Sequence, residues 1–231
     1  MGGTYPGSRK WPTSAWRDLL ASTLDLLDTL PTPPEWSFGG GTSLMVHYDH
    51  RYSYDIDAFV GSGDVIRALS PNRNPATKAL LKGRKYEYPG NYLKLVLDSG
   101  EIDFIVGGAR TDRAVETWSF EGRAVPIDMP WETAVKKMFY RPSTFKVRDV
   151  FDLAAVVERH PEELRAGMSE IDDRLQRLLD RIDALRPVYA TLAADDVNPT
   201  EGGQRYMSSD AIENVFDFLR DYQGKADGDE R

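Results

Sequence analysis

Two aspartates separated by one residue carry a clear chemical signal in this chain of 231 residues. Asp55 and Asp57 flank Ile56 in a segment, residues 53–60, that alternates polar and apolar side chains. The alternation predicts a strand, on which residues i and i+2 point to the same face. Adjacent carboxylates repel each other unless a cation lies between them, and hard oxygen ligands suit Mg²⁺. The pair therefore predicts a divalent-cation site, with a solvated strand face as the alternative.

A glycine-rich turn precedes this pair. Residues 39–43 read Gly-Gly-Gly-Thr-Ser and lie between a short predicted strand and one or two helical turns predicted over residues 42–48. Glycines allow a ligand to approach the backbone closely, and a helix N-terminus favours anions. The turn is therefore a candidate phosphate-binding site, although many glycine turns bind nothing.

Three further acids lie in patterned segments. Asp103 belongs to a second predicted strand, residues 101–106, which could pair near the first and supply a third metal ligand. Asp149 and Asp152 are three residues apart on a predicted helix and so share one of its faces. By itself this second pair indicates only a surface face with ion pairs.

Composition excludes several classes of protein. The chain has no cysteine, which excludes disulfide scaffolds, thiolate metal sites and cysteine nucleophiles, and its three histidines argue against a multi-histidine zinc site. It has no apolar run of about 20 residues that could span a membrane. The first residues also lack the apolar stretch of a secretory signal, so we expect a cytoplasmic protein without a membrane partner.

The net charge of −8 is unevenly distributed along the chain. Residues 1–150 carry 19 basic and 18 acidic side chains, whereas residues 151–231 carry 10 and 19. Two segments are locally basic, residues 67–97 and residues 136–148. We expect these segments to attract phosphates to one face of the first two thirds of the chain.

The elements that must position these residues fall into two regions. Two hairpins are predicted around the turns at residues 98–100 and 121–122, and only helices are predicted after Pro130. The fold class is therefore α/β (α+β), with a mixed sheet in a domain over residues 12–130 and a helical domain over residues 131–223. Residues 1–11 and 224–231 are predicted to be disordered.

Taken together, the motifs resemble the AbiEii/AbiGii-type nucleotidyltransferase toxins of the polymerase-β-like nucleotidyltransferase superfamily. The family pattern is a Gly-Gly-Thr turn followed by Arg-x-Ser-x-Asp-Ile-Asp-x-Phe, which residues 39–44 and 51–59 match. A later lysine precedes Arg-Asp-x-x-Asp-Leu in the family. Here Lys137 lies 12 residues before Asp149 and 15 before Asp152. The resemblance covers residues 36–157, about half of the chain.

The resemblance implies an enzyme that transfers a nucleotide from an NTP with the help of Mg²⁺ or Mn²⁺. Asp55 and Asp57 would bind the metal, and Asp103 is a third ligand by superfamily analogy only. Lys137 would neutralise the triphosphate, and Asp152 would act as a base or an orienting group. The predicted triphosphate cradle consists of Gly40, Gly41 and Thr42, with Ser53 beside the first acid.

The resemblance also suggests an acceptor and a biological role. The better-understood members of the family add nucleotides to the 3′ end of tRNA as toxins that an antitoxin counteracts. The basic segment 67–97 contains Tyr86, Tyr88 and Tyr92, and it could hold the acceptor strand by phosphate contacts and stacking. Two alternatives are a small-molecule or protein hydroxyl as acceptor, and a nucleotide-binding module without catalytic activity.

Overall fold

The computed structural model describes the backbone of residues 13–229 and the side chains up to residue 224. The segment 1–11, predicted to be disordered, lies outside the described residues. The strands are β1 (Trp36–Gly39), β2 (Ile56–Val60), β3 (Tyr86–Glu87), β4 (Tyr92–Val96), β5 (Glu101–Val106), β6 (Val115–Phe120) and β7 (Arg123–Asp128). The helices are α1 (Trp16–Asp28), α2 (Gly40–Tyr48), α3 (Gly63–Leu69), α4 (Pro75–Leu81), α5 (Pro130–Tyr140), α6 (Val147–Arg159), α7 (Pro161–Ala166), α8 (Asp172–Leu185), α9 (Tyr189–Asp196) and α10 (Ser209–Asp229).

The seven strands form one mixed sheet in the order β3-β4-β5-β2-β1-β7-β6. Strands β2 and β5 are parallel, as are β1 and β7, and the other neighbours are antiparallel. The two predicted hairpins are β4–β5 and β6–β7. The predicted fold class, a mixed sheet followed by helices, is confirmed.

Two hydrophobic cores hold the described residues together. One lies between the sheet and α1, and the other lies among the helices from α5 to α10. Helix α2 joins them, because its Leu44 and Tyr48 belong to the helical core while its Val46 packs against the core of the sheet. The position of the glycine turn that begins α2 is therefore fixed by packing of the helix against both hydrophobic cores. The change from sheet to helix falls near residue 130, as predicted, whereas the division into two domains stays a prediction.

The segment between α9 and α10 returns to the sheet region. Tyr52 donates its backbone N–H to the carbonyl of Asn198 at 2.8 Å, and Thr200 donates to the carbonyl of His50 at 3.1 Å. A side chain at Gly203 would collide with the His50 carbonyl, because its Cβ would lie 1.7 Å from that oxygen. The loop before β2 is thus held against the segment between α9 and α10.

Several elements differ from the sequence prediction. Helices α4 and α9 were not predicted, and α2 is longer than the one or two turns expected. The pattern predicts an end of the last helix near Tyr222 and disorder over residues 224–231, whereas α10 is helical to Asp229 and residues 230–231 lie outside the described part. No helix in the described part is long and apolar enough to cross a membrane.

Candidate active site

Each glycine of the turn leaves room for a charged side chain. Gly40 has a φ of +74°, and a Cβ on it would lie 1.8 Å from Oδ2 of Asp57. A Cβ on Gly39 would lie 2.4 Å from Oδ2 of Asp128, and one on Gly41 would lie 2.3 Å from Nη2 of Arg51. The turn therefore brings its backbone close to the Arg51 guanidinium and to the carboxylates of Asp57 and Asp128. The amides and Arg51 suit a phosphate, whereas the carboxylates would need a cation between them and that phosphate.

The predicted aspartates meet at the centre of the sheet. Asp57 of β2 and Asp103 of β5 are direct partners in the parallel register. The strand predicted over residues 53–60 begins only at Ile56, so Asp55 lies immediately before β2 and not on it. Its Oδ1 accepts a hydrogen bond from the backbone N–H of Glu101 at 3.2 Å. Parallel pairing of β2 with β5 thus places the acid that the resemblance suggested by analogy beside the predicted pair.

Burial and mutual repulsion make these carboxylates hard to ionise. Burial, with the charges of Asp57 and Glu101, raises the pKa of Asp55 to about 6. Burial and the Asp57 charge raise the pKa of Asp103 to about 7. Burial also raises the pKa of Asp57, although the Arg141 and Lys137 charges oppose that rise. Such a cluster would be stabilised by an added cation.

Only some of the carboxylate oxygens in this cluster are available to bind a metal ion. Oδ1 of Asp103 is buried and has no hydrogen-bond partner, so one hard oxygen is left for a ligand. Its Oδ2 is already occupied, because it accepts a hydrogen bond from Nζ of Lys94 at 2.9 Å. Among residues 13–229, no three carboxylate or imidazole groups are already gathered in a metal-binding arrangement.

A cavity of about 160 Å³ lies between the sheet and α5. Gly40 and Asp57 line one side, and Lys137 lines the other. Three of the predicted site residues therefore share one cavity that spans the predicted domain boundary. The remaining lining residues are Phe59, Ile105, Thr133, Lys136, Tyr140 and Arg141.

Asp152 lies behind Lys137 in a buried network and does not line this cavity. Arg51 forms a bidentate contact with it along one edge of the guanidinium: Nε donates to Oδ1 at 2.6 Å and Nη2 donates to Oδ2 at 2.8 Å. His50 Nε2 lies 2.8 Å from Oδ1, and Lys137 Nζ contacts Oδ2. The charges of Arg51 and Lys137, with hydrogen bonds from Arg51 and His50, hold the pKa of Asp152 well below its usual range, despite its burial. Its oxygens are therefore fully engaged in orienting other groups.

Asp149, like Asp152, is buried, so the pair does not form the surface face that its spacing indicates. Its Oδ2 accepts the backbone N–H of Lys146 at 3.0 Å, which caps α6. Its Oδ1 accepts Nη2 of Arg141 at 2.7 Å and lies 3.2 Å from Nζ of Lys137. Its side-chain partners are thus Arg141 and Lys137, and the neighbouring Arg148 is not among these contacts.

The hydroxyls of the predicted cradle are bonded to the protein itself. The buried Thr42 hydroxyl contacts Ser53 Oγ at 2.9 Å and donates to the backbone carbonyl of Asp55. These contacts fix the approach of the chain to β2. They place both hydroxyls in the support of the aspartate pair, and phosphate contact by Thr42 or Ser53 stays a prediction.

Sequence reasoning missed a second buried charge network beside the cavity. Lys136 Nζ lies 2.7 Å from Oδ2 of Asp128 and 3.2 Å from Oε1 of Glu132, over the ring of Phe59. Burial raises the pKa of Asp128 to about 6. In the sequence, Lys136 is one lysine of a basic run and Asp128 is an acid at the end of a predicted strand. Neither pattern indicates that the two residues form an ion pair.

The two basic segments are less positive than their composition suggests. Lys136, Lys137 and Arg141 are all paired with buried carboxylates. In the other segment, Arg84 pairs with Asp98, and Lys94 pairs with Glu101 and Asp103. The exposed basic residues of that segment with no ion pair among the described residues are Arg73, Lys78, Lys82 and Lys85.

A mixed sheet that joins a glycine turn, paired strand aspartates and helix lysines defines a nucleotidyltransferase. The model of one protein family, described as the nucleotidyl transferase AbiEii toxin of type IV toxin–antitoxin systems, matches residues 24–217. The chain belongs to this family of nucleotidyltransferase toxins, which confirms the resemblance and the enzyme class.

Solved structures show the same fold. The chain resembles MenT4, a nucleotidyltransferase toxin from Mycobacterium tuberculosis H37Rv, with a TM-score of 0.53 and 16% identity over 94% of this chain and 88% of that chain. It also resembles an H. pylori protein described as a nucleotidyltransferase, with a TM-score of 0.50 and 14% identity over 95% of this chain and 100% of that chain. A comparison with curated protein sequences found no match.

Proposed function

We propose that this protein is a cytoplasmic Mg²⁺-dependent toxin that transfers a nucleotide from an NTP to an RNA acceptor, the 3′ end of tRNA. A cognate antitoxin would restrain it. The observation that carries the proposal is the pairing of Asp57 with Asp103 on parallel strands, directly beside the Gly40 turn. Few structural roles require two partly buried carboxylates of raised pKa to lie side by side on adjacent strands, with one of them, Asp57, lining a cavity.

The metal would be held by Asp55, Asp57 and the unpartnered Oδ1 of Asp103. When bound, Mg²⁺ would stabilise the charge that develops on the phosphate oxygens and activate the attacking hydroxyl. Mn²⁺ offers the same hard-ligand chemistry and is an expected substitute. The backbone of Gly40 and Gly41, at the N-terminus of the nine-residue helix α2, would donate to phosphate oxygens.

Cations on the helical side of the cavity support triphosphate binding. Lys137 lines the cavity while Asp149 and Asp152 hold its ammonium, so it would meet the triphosphate as a positioned charge. Burial, together with the nearby Arg148 and Arg141 guanidiniums, lowers the pKa of Lys146. A polyanion placed there would relieve this crowding of positive charge.

The contacts of Asp152 favour an orienting role over that of a base. A base must reach the proton that it removes, and Asp152 is enclosed by Arg51, His50 and Lys137. Through Lys137 and Arg51 it links the cavity to the loop that carries the aspartate pair.

A small-molecule or protein hydroxyl is the second candidate acceptor. The pairing of Lys136, Lys137 and Arg141 with buried acids favours it, because it removes much of the positive surface that an RNA would contact. An RNA acceptor would instead contact the exposed lysines of segment 67–97 and the exposed rings of Tyr86 and Tyr88.

A transfer assay with labelled NTPs tests both the chemistry and the acceptor. The protein is incubated with Mg²⁺ and, in separate reactions, total tRNA, purified protein, or small hydroxyl and amine compounds. We expect label at the 3′ end of tRNA, and a loss of more than about 100-fold for Asp57→Asn. Asp98→Asn, an exposed aspartate in the β4–β5 turn, is the matched control and should retain activity. Full activity of a folded Asp57→Asn protein at saturating Mg²⁺ would contradict the metal assignment.

A further inference from the structure

Two cations at the end of α5 line the cavity. They are Lys137 of the helix and Arg141, the residue that directly follows it, and both share the cavity with Asp57. Both also contact one carboxylate, because Nζ of Lys137 lies 3.2 Å and Nη2 of Arg141 lies 2.7 Å from Oδ1 of Asp149. The family pattern contains the lysine but not the arginine.

The two cations differ in the donors that remain for a ligand. Lys137 is 8% exposed, and its ammonium contacts both Asp149 and Asp152. Arg141 is 38% exposed, and among the described residues its guanidinium has one hydrogen-bond partner, Asp149. A guanidinium has five N–H donors, and Nε of Arg141 is buried without a partner. Buried polar groups are almost always hydrogen-bonded, so this donor, on a side chain that lines the cavity, is available to a ligand.

The chemistry around Arg141 indicates a phosphate as that ligand. A guanidinium matches phosphate oxygens with two parallel hydrogen bonds, whereas an ammonium acts as a point charge. Among the neighbouring charges that oppose the raised pKa of Asp57, that of Arg141 has the largest effect, so the guanidinium lies close to this carboxylate. A chain of phosphates whose metal is held by Asp57 would therefore reach Arg141 within the same cavity.

We propose that Arg141 binds the β- and γ-phosphates of the NTP, the part that leaves as pyrophosphate. In the transfer, the acceptor hydroxyl oxygen bonds to the α-phosphorus and the hydroxyl proton passes to solvent. The bond from that phosphorus to the oxygen of the β-phosphate breaks, and pyrophosphate leaves with the electron pair.

This inference rests on the proposed function and extends it to a residue outside the family pattern. Asp55 and Asp57 would hold the metal at the reacting α-phosphorus, so a cation on another wall of the cavity is placed for the leaving group. Asp149 is then a positioning residue for Arg141, and Lys137 adds a second, more deeply buried positive charge.

Binding of inorganic pyrophosphate tests this proposal without the transfer reaction. The full chain is titrated calorimetrically with pyrophosphate in the presence of Mg²⁺, and then with each NTP. We expect Arg141→Gln to weaken the binding of pyrophosphate and of the preferred NTP by about tenfold or more, because charge-assisted hydrogen bonds are lost. Arg141→Lys keeps the charge without the planar fork, so its affinities should lie between those of the native protein and Arg141→Gln.

Binding of Mn²⁺ alone separates phosphate contact from damage to the cavity. Arg141→Gln removes a repulsive charge beside Asp57, so Mn²⁺ at pH 8 without phosphate should bind about twofold more tightly, or better. A disturbed cavity would weaken both ligands. Arg123→Gln is the matched control, because Arg123 is 34% exposed, pairs with Asp25 and Asp28 and does not line the cavity; it should match the native protein for both ligands. Thermal unfolding confirms that each variant is folded, and Arg141→Lys becomes the test variant if Arg141→Gln is not.

Each contrary result has a distinct meaning. Native pyrophosphate affinity in Arg141→Gln overturns the inference and leaves the proposed function intact. Weaker tRNA binding with unchanged pyrophosphate binding overturns it too, and assigns Arg141 to the acceptor. Joint loss of pyrophosphate and Mn²⁺ binding in the variant makes the role of Arg141 structural. Absence of pyrophosphate and NTP binding by the native protein at saturating Mg²⁺ contradicts the proposed function itself.

Discussion

The carboxylates at the centre of the sheet differ in what surrounds each oxygen. One oxygen of Asp103 accepts a hydrogen bond from Lys94, and the other is buried without a partner. Asp103 lies beside Asp57 on the neighbouring parallel strand. Asp152, in contrast, has both oxygens engaged by cations. Asp152 is the more deeply buried, with 1% of its side chain exposed against 15% for Asp103, yet the pKa of Asp103 is raised and that of Asp152 is lowered. The balance of neighbouring charges therefore separates a group poised for a ligand from a structural one.

The raised pKa of Asp103, about 7, predicts a pH dependence of stability. Because the folded protein binds this proton more tightly than the unfolded chain, the metal-free protein should lose roughly 1 kcal/mol of unfolding free energy from pH 6.5 to pH 8. Below pH 6.5 the trend is opposed, since burial lowers the pKa of His47 and His50. Urea unfolding at several pH values measures the slope, which Asp103→Asn should largely remove.

The control for that measurement is Asp64→Asn, which removes an exposed aspartate that pairs with Arg67. Its pH slope should equal that of the native protein. An equal slope in Asp103→Asn as well would assign the pH dependence to other groups.

Asp152→Asn should destabilise the protein severely. The substitution keeps the shape of the side chain but leaves the buried charges of Arg51 and Lys137 without their main partner. Loss of one partner from a buried ion pair typically costs 3–5 kcal/mol, and we expect a loss of about that size in denaturant unfolding. Asp183→Asn, which removes an exposed partner of Arg186 on α8, should change stability by about 0.5 kcal/mol or less. Native stability with abolished transfer would instead point to a direct chemical role for Asp152.

At the scale of elements, helix α2 couples the glycine turn to both hydrophobic cores. Gly40 begins the helix next to Asp57, and Leu44 and Tyr48 anchor its later turns in the helical core. The positive φ at Gly40 and the lack of a side chain let the helix start directly against the carboxylate. The position of the turn relative to the aspartates is therefore fixed by packing at the other end of the same helix.

Gly40→Ala should impair transfer by displacing Asp57. The new Cβ would lie 1.8 Å from Oδ2 of Asp57, so the carboxylate or the turn must move. We expect at least a tenfold loss of transfer rate in addition to about 1 kcal/mol for the positive φ. Gly83→Ala is the matched control, because Gly83 has a φ of +80° but open space around its Cβ. It should show the same backbone cost with full activity, and equal activity in the two variants would contradict the role given to the turn.

Local patterns predicted the elements that periodicity defines. Alternation identified β2, β4 and β5, and helical spacing identified α5, α6 and α8. The acids of the sheet were found because strand spacing and hairpin turns are local. Helix α9 escaped prediction because it is short and its place depends on packing around Tyr189, which is completely buried.

Contacts between distant parts of the chain could not be predicted in the same way. Arg51 and Asp152 are 101 residues apart, and no spacing rule joins them. Lys94 looked like one more basic surface residue, since only the register of β4 with β5 shows that its partner is Asp103. The paired state of Lys136 likewise depends on Asp128 at the end of β7. In each case the sequence reveals the charge but not the counter-charge.

At the scale of the whole molecule, the basic side chains that have no acidic partner are unevenly distributed over the surface. Those around the cavity are mostly neutralised by buried acids, and the helical region carries more acidic than basic residues. The exposed lysines before β3 therefore form a basic surface for the proposed RNA acceptor, and Lys146 at the start of α6 is a further exposed cation without an ion pair among the described residues. This assignment differs from the sequence-based expectation, in which Arg84 was also available, because Arg84 is paired with Asp98.

Reversal of two exposed lysines tests whether that surface holds an RNA acceptor. Lys82→Glu combined with Lys85→Glu should weaken tRNA binding and reduce its log–log salt slope by about 1 for each lysine that contacts a phosphate. NTP binding should stay nearly unchanged, because the cavity is lined by other residues. The control combines Arg177→Glu with Arg220→Glu, an equal change of charge on exposed residues of α8 and α10, and should leave tRNA binding close to native. Filter binding over a series of salt concentrations measures both quantities, and absence of tRNA binding at low salt, with turnover unaffected by the reversal, would favour the small-molecule or protein acceptor.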